Sequence, residues 1–165
     1  MVKQVLFWSN YIGLKPLHHS NLGSEYYFDL KDPDKGFTYA KAAAALLKKT
    51  GPYRRFDLYA LALLNLGAME MDKGRFLSSN QYLCQALNAS DTFLLKIEHT
   101  LEPDPTFRLW GVTQLRWMLV MIFSDLVELH ELTGDFRNAL LYQKKLEEEK
   151  SLQMRDEITR QIIGL

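Results

Sequence analysis

The chain has 165 residues, 47% of them hydrophobic and 24% charged, which is the composition of a globular domain with a core of its own. Its 20 basic and 20 acidic residues cancel, so no overall field favours nucleic acid or an anionic membrane as a partner. The single cysteine, Cys84, excludes an internal disulfide and a cysteine-based zinc site. We expect Cys84 to be a small core residue on a helix.

The amino-terminal segment does not have the long apolar run and small-residue cleavage site of a secretory signal. The most apolar stretch, residues 109–123, is interrupted by Gln114 and Arg116, so it is too short and too polar to span a membrane. These features predict a cytoplasmic protein without membrane contact, organised as a single domain over residues 1–165.

Proline and glycine divide the chain into segments, and most of these segments have the apolar spacing of a helix. Residues 38–51 are typical, since this stretch is rich in alanine, ends with two lysines and has Gly51 at the position of a helix C-cap. No alternating apolar run is flanked by hairpin turns, so the sequence predicts an all-α fold. The predicted helices cover residues 17–31, 34–49, 54–73, 75–89, 104–133 and 135–160.

Two segments of the chain, residues 64–87 and 124–147, align on a turn glycine. The alignment pairs Gly74 with Gly134, Phe76 with Phe136, and Ser79 with Ala139. We expect the glycines to open turns between helices.

A third copy lies upstream, in residues 20–46, where Leu22-Gly23 matches Leu66-Gly67. This register places Leu30 at the turn-glycine position and Lys35 at the position of the small residue after the turn. Later positions of the pattern are then taken by Tyr39 and Ala42.

The pattern of Leu-Gly, a turn glycine, an aromatic residue and a small residue resembles the tetratricopeptide repeat. The resemblance implies a right-handed superhelix of antiparallel helix pairs, an α-solenoid of about three repeats. These would cover residues 17–50, 54–101 and 104–150, followed by a helical extension to residue 165. The resemblance also implies that Phe76 and Phe136 are buried plugs between repeats. The spacing from Gly74 to Gly134 exceeds the ~34 residues of a minimal repeat, which resembles the extended tetratricopeptide domains of bacterial regulatory proteins.

In that family, inward-facing positions on the first helix of each repeat contact the bound peptide. The register transfers them to Ser20, Asn21, Ser24 and Tyr27, to Leu61, Leu64, Asn65, Ala68 and Met71, and to Met121, Ser124, Asp125, Glu128 and Glu131. The resemblance therefore implies a scaffold whose concave face binds a protein or peptide, alone or as the sensory or interaction part of a larger regulator. The alternative interpretation is that the apolar members of this set are core residues.

No sequence motif indicates catalysis. The chain has no phosphate-binding loop, dinucleotide fingerprint or nucleophile elbow, and "LHELTGD" lacks the second histidine of a zinc protease motif. His18 and His19 have no third ligand at helical spacing, so a surface pair is favoured over a metal site. We expect neither an enzyme nor a cofactor.

The carboxy-terminal helix raises a second functional class. Three residues, Ile158, Ile162 and Ile163, continue an imperfect apolar stripe to the end of the helix. We expect them to contact a neighbouring chain, as in a homodimer, or a missing domain. The alternative function is therefore a structural or oligomerisation segment whose apolar faces are buried against another chain or domain.

Overall fold

The computed structural model of the protein describes residues 14–49, 56–99 and 105–163. Within these residues the helices are α1 (Leu14–Ser24, continued by a π-helical turn, Glu25–Asp29), α2 (Pro33–Lys49), α3 (Phe56–Asp72), α4 (Phe76–His99), α5 (Pro105–Leu132) and α6 (Phe136–Ile163). The described residues contain no strand, so the predicted all-α class is confirmed. The main difference from the predicted boundaries is in α4, which continues to His99 instead of ending at residue 89.

Glycine ends two of the helices in the same way. Gly74 follows α3 with a φ of 68°, and Gly134 follows α5 with a φ of 74°, the left-handed region that glycine adopts without strain. The N–H of Gly74 donates to the Met71 carbonyl at 2.8 Å, and the N–H of Arg75 donates to the Glu70 carbonyl at 2.8 Å. These two bonds define a Schellman motif.

The second glycine corner repeats these bonds. The N–H of Gly134 donates to the Glu131 carbonyl at 3.1 Å, and the N–H of Asp135 donates to the His130 carbonyl at 2.8 Å. Both glycines therefore lie at corners between antiparallel helices, as the alignment predicted.

The first corner contains one more residue than the other two. Its left-handed residue is Lys31, with a φ of 55°, and the N–H of Asp32 reaches back six residues to the Tyr26 carbonyl at 2.8 Å. The π-helical turn at the end of α1 accommodates this extra residue within the helix. The prediction that Leu30 occupies the turn-glycine position is therefore wrong by one residue.

The same shift identifies Gly36, not Lys35, as the small residue after the first corner. The N–H of Gly36 donates to the Asp32 carbonyl at 3.0 Å, and the N–H of Ser79 makes the equivalent bond to Arg75 at 3.0 Å. Gly36 is buried, whereas Lys35 is exposed. A small residue is needed here because the preceding helix crosses closely: the Ser79 hydroxyl donates to the Gly67 carbonyl at 2.8 Å.

Ala40 and Ala43 take the later positions that the alignment gave to Tyr39 and Ala42. Both alanines are fully buried on α2, while Tyr39 and Ala42 are only half-buried. The corrected register also aligns Tyr39 on α2 with Tyr82 on α4 and Tyr142 on α6.

Two of the aligned tyrosines stack on equivalent positions of the preceding helices. The Tyr39 ring stacks on Tyr26, with 5.4 Å between centroids, and the Tyr142 ring stacks on His130 at 5.5 Å. Tyr82 faces Glu70 at the same position, and burial together with that carboxylate raises the pKa of Tyr82. His130 is thus a packed histidine.

The described residues fall into two compact units, with the boundary after Ala89, inside α4. In the amino-terminal unit, α1, α2 and α3 pack around two buried clusters. One cluster contains Tyr27, Ala40, Leu66 and Met69, and the other contains Ala43, Leu47 and Ala62. The sequence prediction of one domain over the whole chain stays a prediction.

In the carboxy-terminal unit, α5 and α6 form an antiparallel hairpin. Its buried side chains are Leu115, Met118, Leu119, Ile122, Phe123, Leu126 and Leu129 on α5 and Ala139 and Leu146 on α6. Arg116 joins the two helices, because its Nε lies 2.6 Å from Asp156 Oδ2 and its Nη1 lies 3.1 Å from Glu149 Oε2.

Phe136 does not have the buried position that the alignment predicted. Its side chain is 71% exposed, and that of Phe76 is half-buried. Phe136 is the first residue of α6, one turn before Ala139, where the buried face of this helix begins. The residue therefore lies outside the hairpin core.

Candidate binding surface

The candidate binding residues of the amino-terminal unit lie on two neighbouring helices, α1 and α3. These helices are in contact, and Asn65 Nδ2 donates to the Ser20 hydroxyl oxygen at 3.2 Å. Asn21 is exposed, and Ser24 and Ala68 are half-buried. The structure therefore places polar and small side chains of α1 and α3 side by side.

Three residues of the predicted surface are buried instead. Tyr27, Leu64 and Ser20 expose 6%, 1% and 2% of their surface, so they belong to the interior of the unit. For Leu64 this agrees with the alternative interpretation of the apolar positions as core. Leu61 and Met71 are half-buried and remain accessible in part.

Tyr27 is buried because its hydroxyl finds partners on α3. The hydroxyl oxygen lies 2.9 Å from Asp72 Oδ2 and 3.1 Å from the Met69 carbonyl oxygen, so the proton is donated within the unit. Burial, followed by the bond to Asp72, raises the pKa of Tyr27 to about 12. The neutral side chain links α1 to α3, and its hydroxyl proton is not available to a ligand.

The candidate residues of the carboxy-terminal unit form an acidic row on α5. Met121 and Asp125 are half-buried, and Ser124, Glu128 and Glu131 are exposed. Burial, with a smaller contribution from Glu128, raises the pKa of Asp125 to about 6. Near neutral pH this surface is negative, and it loses charge as the pH falls toward 6.

The described residues contain no group of three or more histidine, cysteine or acidic side chains placed to hold a metal ion. His18 and His19 lie together, with 6.4 Å between ring centroids. Cys84 is half-buried, and burial raises the pKa of its thiol, which keeps it protonated and poorly nucleophilic near pH 7.

The predicted contact residues at the end of α6 are largely exposed. Ile158 is 49% exposed and Ile162 is 78% exposed, whereas the side chain of Ile163 lies outside the described residues. The structure adds three exposed apolar residues on the same helix: Leu140, Leu141 and Met154. Their spacing from Ile158 could have indicated this longer surface from the sequence.

No helix within the described ranges combines the length and apolar character needed to cross a bilayer. No protein-family model matches the sequence, and comparisons with curated proteins and with solved structures gave no match.

Proposed function

We propose that the protein is a non-catalytic scaffold that binds an extended protein or peptide segment. In this proposal the helix pairs continue as a right-handed, tetratricopeptide-like superhelix whose first helices line the concave face. The domain then serves in the cytoplasm as the sensory or interaction part of a signalling regulator. Three corners with equivalent hydrogen bonds and equivalent tyrosines support the repeat interpretation.

The observation that carries the proposal is the alignment of α1 with α3. The bond from Asn65 to Ser20 sets the two helices side by side, and Asn21 occupies on α1 the register position that Asn65 occupies on α3. A side-chain amide both donates and accepts, so it matches the alternating N–H and C=O groups of an extended peptide. The neighbouring Ser24 and Ala68 are small, which leaves room for a backbone.

Asn21→Ala is the variant that tests this surface. Asn21 is exposed, so its truncation removes the amide without opening the core, whereas Asn65→Ala would also break the bond to Ser20. Gln81→Ala is the matched control, because Gln81 is an exposed amide on α4, outside the proposed surface.

The experiment begins with a pull-down on the purified chain, with captured segments identified by mass spectrometry and resynthesised as labelled peptides. Fluorescence polarisation then measures their affinity for each variant. Losing one amide hydrogen bond should weaken binding about fivefold in Asn21→Ala and leave Gln81→Ala unchanged. Equal affinities for all three proteins would contradict the proposal.

The alternative function, an oligomerisation segment, is supported by a different observation. The exposed apolar residues of α6 lie on a face of that helix different from the face that carries its buried residues Ala139 and Leu146. Sedimentation of the chain tests this function directly, and a monomer at all concentrations would exclude it.

A further inference from the structure

A continuous stripe of exposed residues runs along α6. Its members alternate at spacings of four and three residues: Leu140, Lys144, Glu147, Ser151, Met154 and Ile158. This spacing keeps them on one face over nearly the whole helix, and every one of them is exposed. A different face, with Ala139 and Leu146, is buried in the hairpin with α5.

The stripe differs from the other exposed apolar residues of the described chain. Leu77, on α4, is 76% exposed, but the residues three and four positions after it, Asn80 and Gln81, are polar. Single exposed apolar residues of this kind are common on protein surfaces, whereas apolar residues that recur along one helix face are the pattern found in helix–helix pairing.

We propose that this stripe binds the same stripe of a second copy of the chain, with the two α6 helices antiparallel and a two-fold axis beside Glu149. In this register Leu140 lies opposite Ile158 of the second copy, Lys144 opposite Met154, and Glu147 opposite Ser151. The apolar ends of the stripe cover each other, and the aliphatic stem of Lys144 covers Met154. Each contact occurs twice because the interface is isologous.

The flanking residues of α6 fit the same register. Side chains on a helix lean toward its amino terminus, so flanking residues of antiparallel helices meet when they are slightly offset along the axis. Leu141 then meets Ile162 of the second copy, and Glu148 meets Arg155 of the second copy. One flank thus combines an apolar contact with an ion pair of opposite charges.

Charge also selects antiparallel over parallel pairing. A parallel, in-register pair would place Lys144 against Lys144 and Glu147 against Glu147, and like charges at facing positions oppose association. The antiparallel register separates these charges and leaves only small or long-stemmed polar residues in the central layers. Because polar layers lower the stability of such pairs, we expect a dissociation constant that is roughly micromolar.

Sedimentation velocity of the full chain measures whether the dimer forms. The wild type should show a concentration-dependent monomer–dimer equilibrium, and Leu140→Glu and Ile158→Glu should each raise the dissociation constant at least tenfold, to roughly 10 µM or above. Leu77→Glu is the matched control and should associate like the wild type, while circular dichroism verifies that every variant keeps its helix content. A wild type that stays monomeric up to ~0.5 mM would overturn the proposal.

Two further experiments test the register. Glu148→Arg or Arg155→Glu alone should weaken the dimer, and the double exchange should restore it, since the two charges simply trade places. In a Cys84→Ser background, oxidising a mixture of Lys144→Cys and Met154→Cys proteins should yield mainly the mixed crosslinked dimer. Crosslinking of Lys144→Cys to itself would indicate a parallel pair, and an unrestored double exchange would indicate another register; either result overturns the arrangement.

Discussion

Replacing Gly36 with alanine tests the geometry of the first corner directly. A Cβ at this position would lie 2.6 Å from Tyr27 Cβ, 2.8 Å from the Gly23 carbonyl oxygen and 2.8 Å from the Tyr27 backbone nitrogen. Two of these neighbours are backbone atoms that cannot rotate away, so α1 and α2 must separate. Overpacking of this kind costs ~1–3 kcal/mol or more, against which the better helix propensity of alanine recovers ~1 kcal/mol.

We expect Gly36→Ala to fall at the upper end of that cost, because a displaced Tyr27 also loses its contacts with Asp72 and Met69. The net loss of unfolding free energy is then about 2 kcal/mol, or a decrease in Tm of ~4–8 °C for a chain of this size. Urea and thermal unfolding followed by circular dichroism measure both quantities.

Lys35→Ala is the matched control for this prediction. Lys35 is exposed and forms an ion pair with Asp32 at 2.8 Å, so its loss should leave the unfolding free energy close to that of the wild type. If Lys35→Ala were the more damaging change, Lys35 would be the crossing residue, and the inferred role of the π-helical turn would be refuted.

Three other changes test the described packing. Asp125→Asn should become more stable relative to the wild type as the pH rises from about 4 to about 7. The pKa of Asp125 is about 6 in the folded state, above its ordinary value of 3.8, so the wild type loses unfolding free energy across that window. The difference in unfolding free energy between this variant and the wild type, measured by urea titration at the two pH values, should grow by ~1–3 kcal/mol. A constant difference would contradict the buried position of the carboxyl. Tyr27→Phe removes the hydroxyl that donates to Asp72 and Met69 and should lower the unfolding free energy by ~1–2 kcal/mol. An unchanged urea midpoint would show that these hydrogen bonds do not stabilise the fold. Phe136→Ser should change Tm little, within ~0.5 kcal/mol of wild-type stability, since the side chain is 71% exposed; a loss of ~3–5 kcal/mol would instead match a buried plug.

Local sequence patterns were sufficient to place the helices. Periodic apolar residues, together with Gly74 and Gly134, predicted both glycine corners and, apart from the end of α4, the helix boundaries within a few residues. These features depend on nearest neighbours along the chain: a helix needs its apolar period, and a left-handed corner residue favours glycine.

The first corner could not be placed in the same way. The extra residue is absorbed by a π-helical turn at Glu25–Asp29, and no residue type there marks such a turn. The alignment, which had no gap, was therefore wrong by one residue at the positions assigned from Leu30 to Ala42. A gap of one residue would have aligned Gly36 with Ser79 and all three tyrosines with one another.

The candidate surface depended on long-range partners, and for this reason the sequence predicted it only in part. Tyr27 is buried because residues more than 40 positions away, Met69 and Asp72, receive its hydroxyl. Phe136 is exposed because the buried face of α6 begins at Ala139. Both outcomes depend on which neighbouring helix reaches a given side chain, and helical spacing alone does not specify that.

Arg116 has a consequence for the kinetics of any partner that binds α6. Its guanidinium holds Glu149 and Asp156, two helical turns apart, and a planar fork of donors resists both rotation of α6 and sliding along α5. The outer face of α6 therefore has a fixed direction before an encounter, and association needs no ordering of the helix. The encounter is a rigid-body search, with an association rate in the range of ~10⁵–10⁷ M⁻¹ s⁻¹ that depends on solvent viscosity and ionic strength.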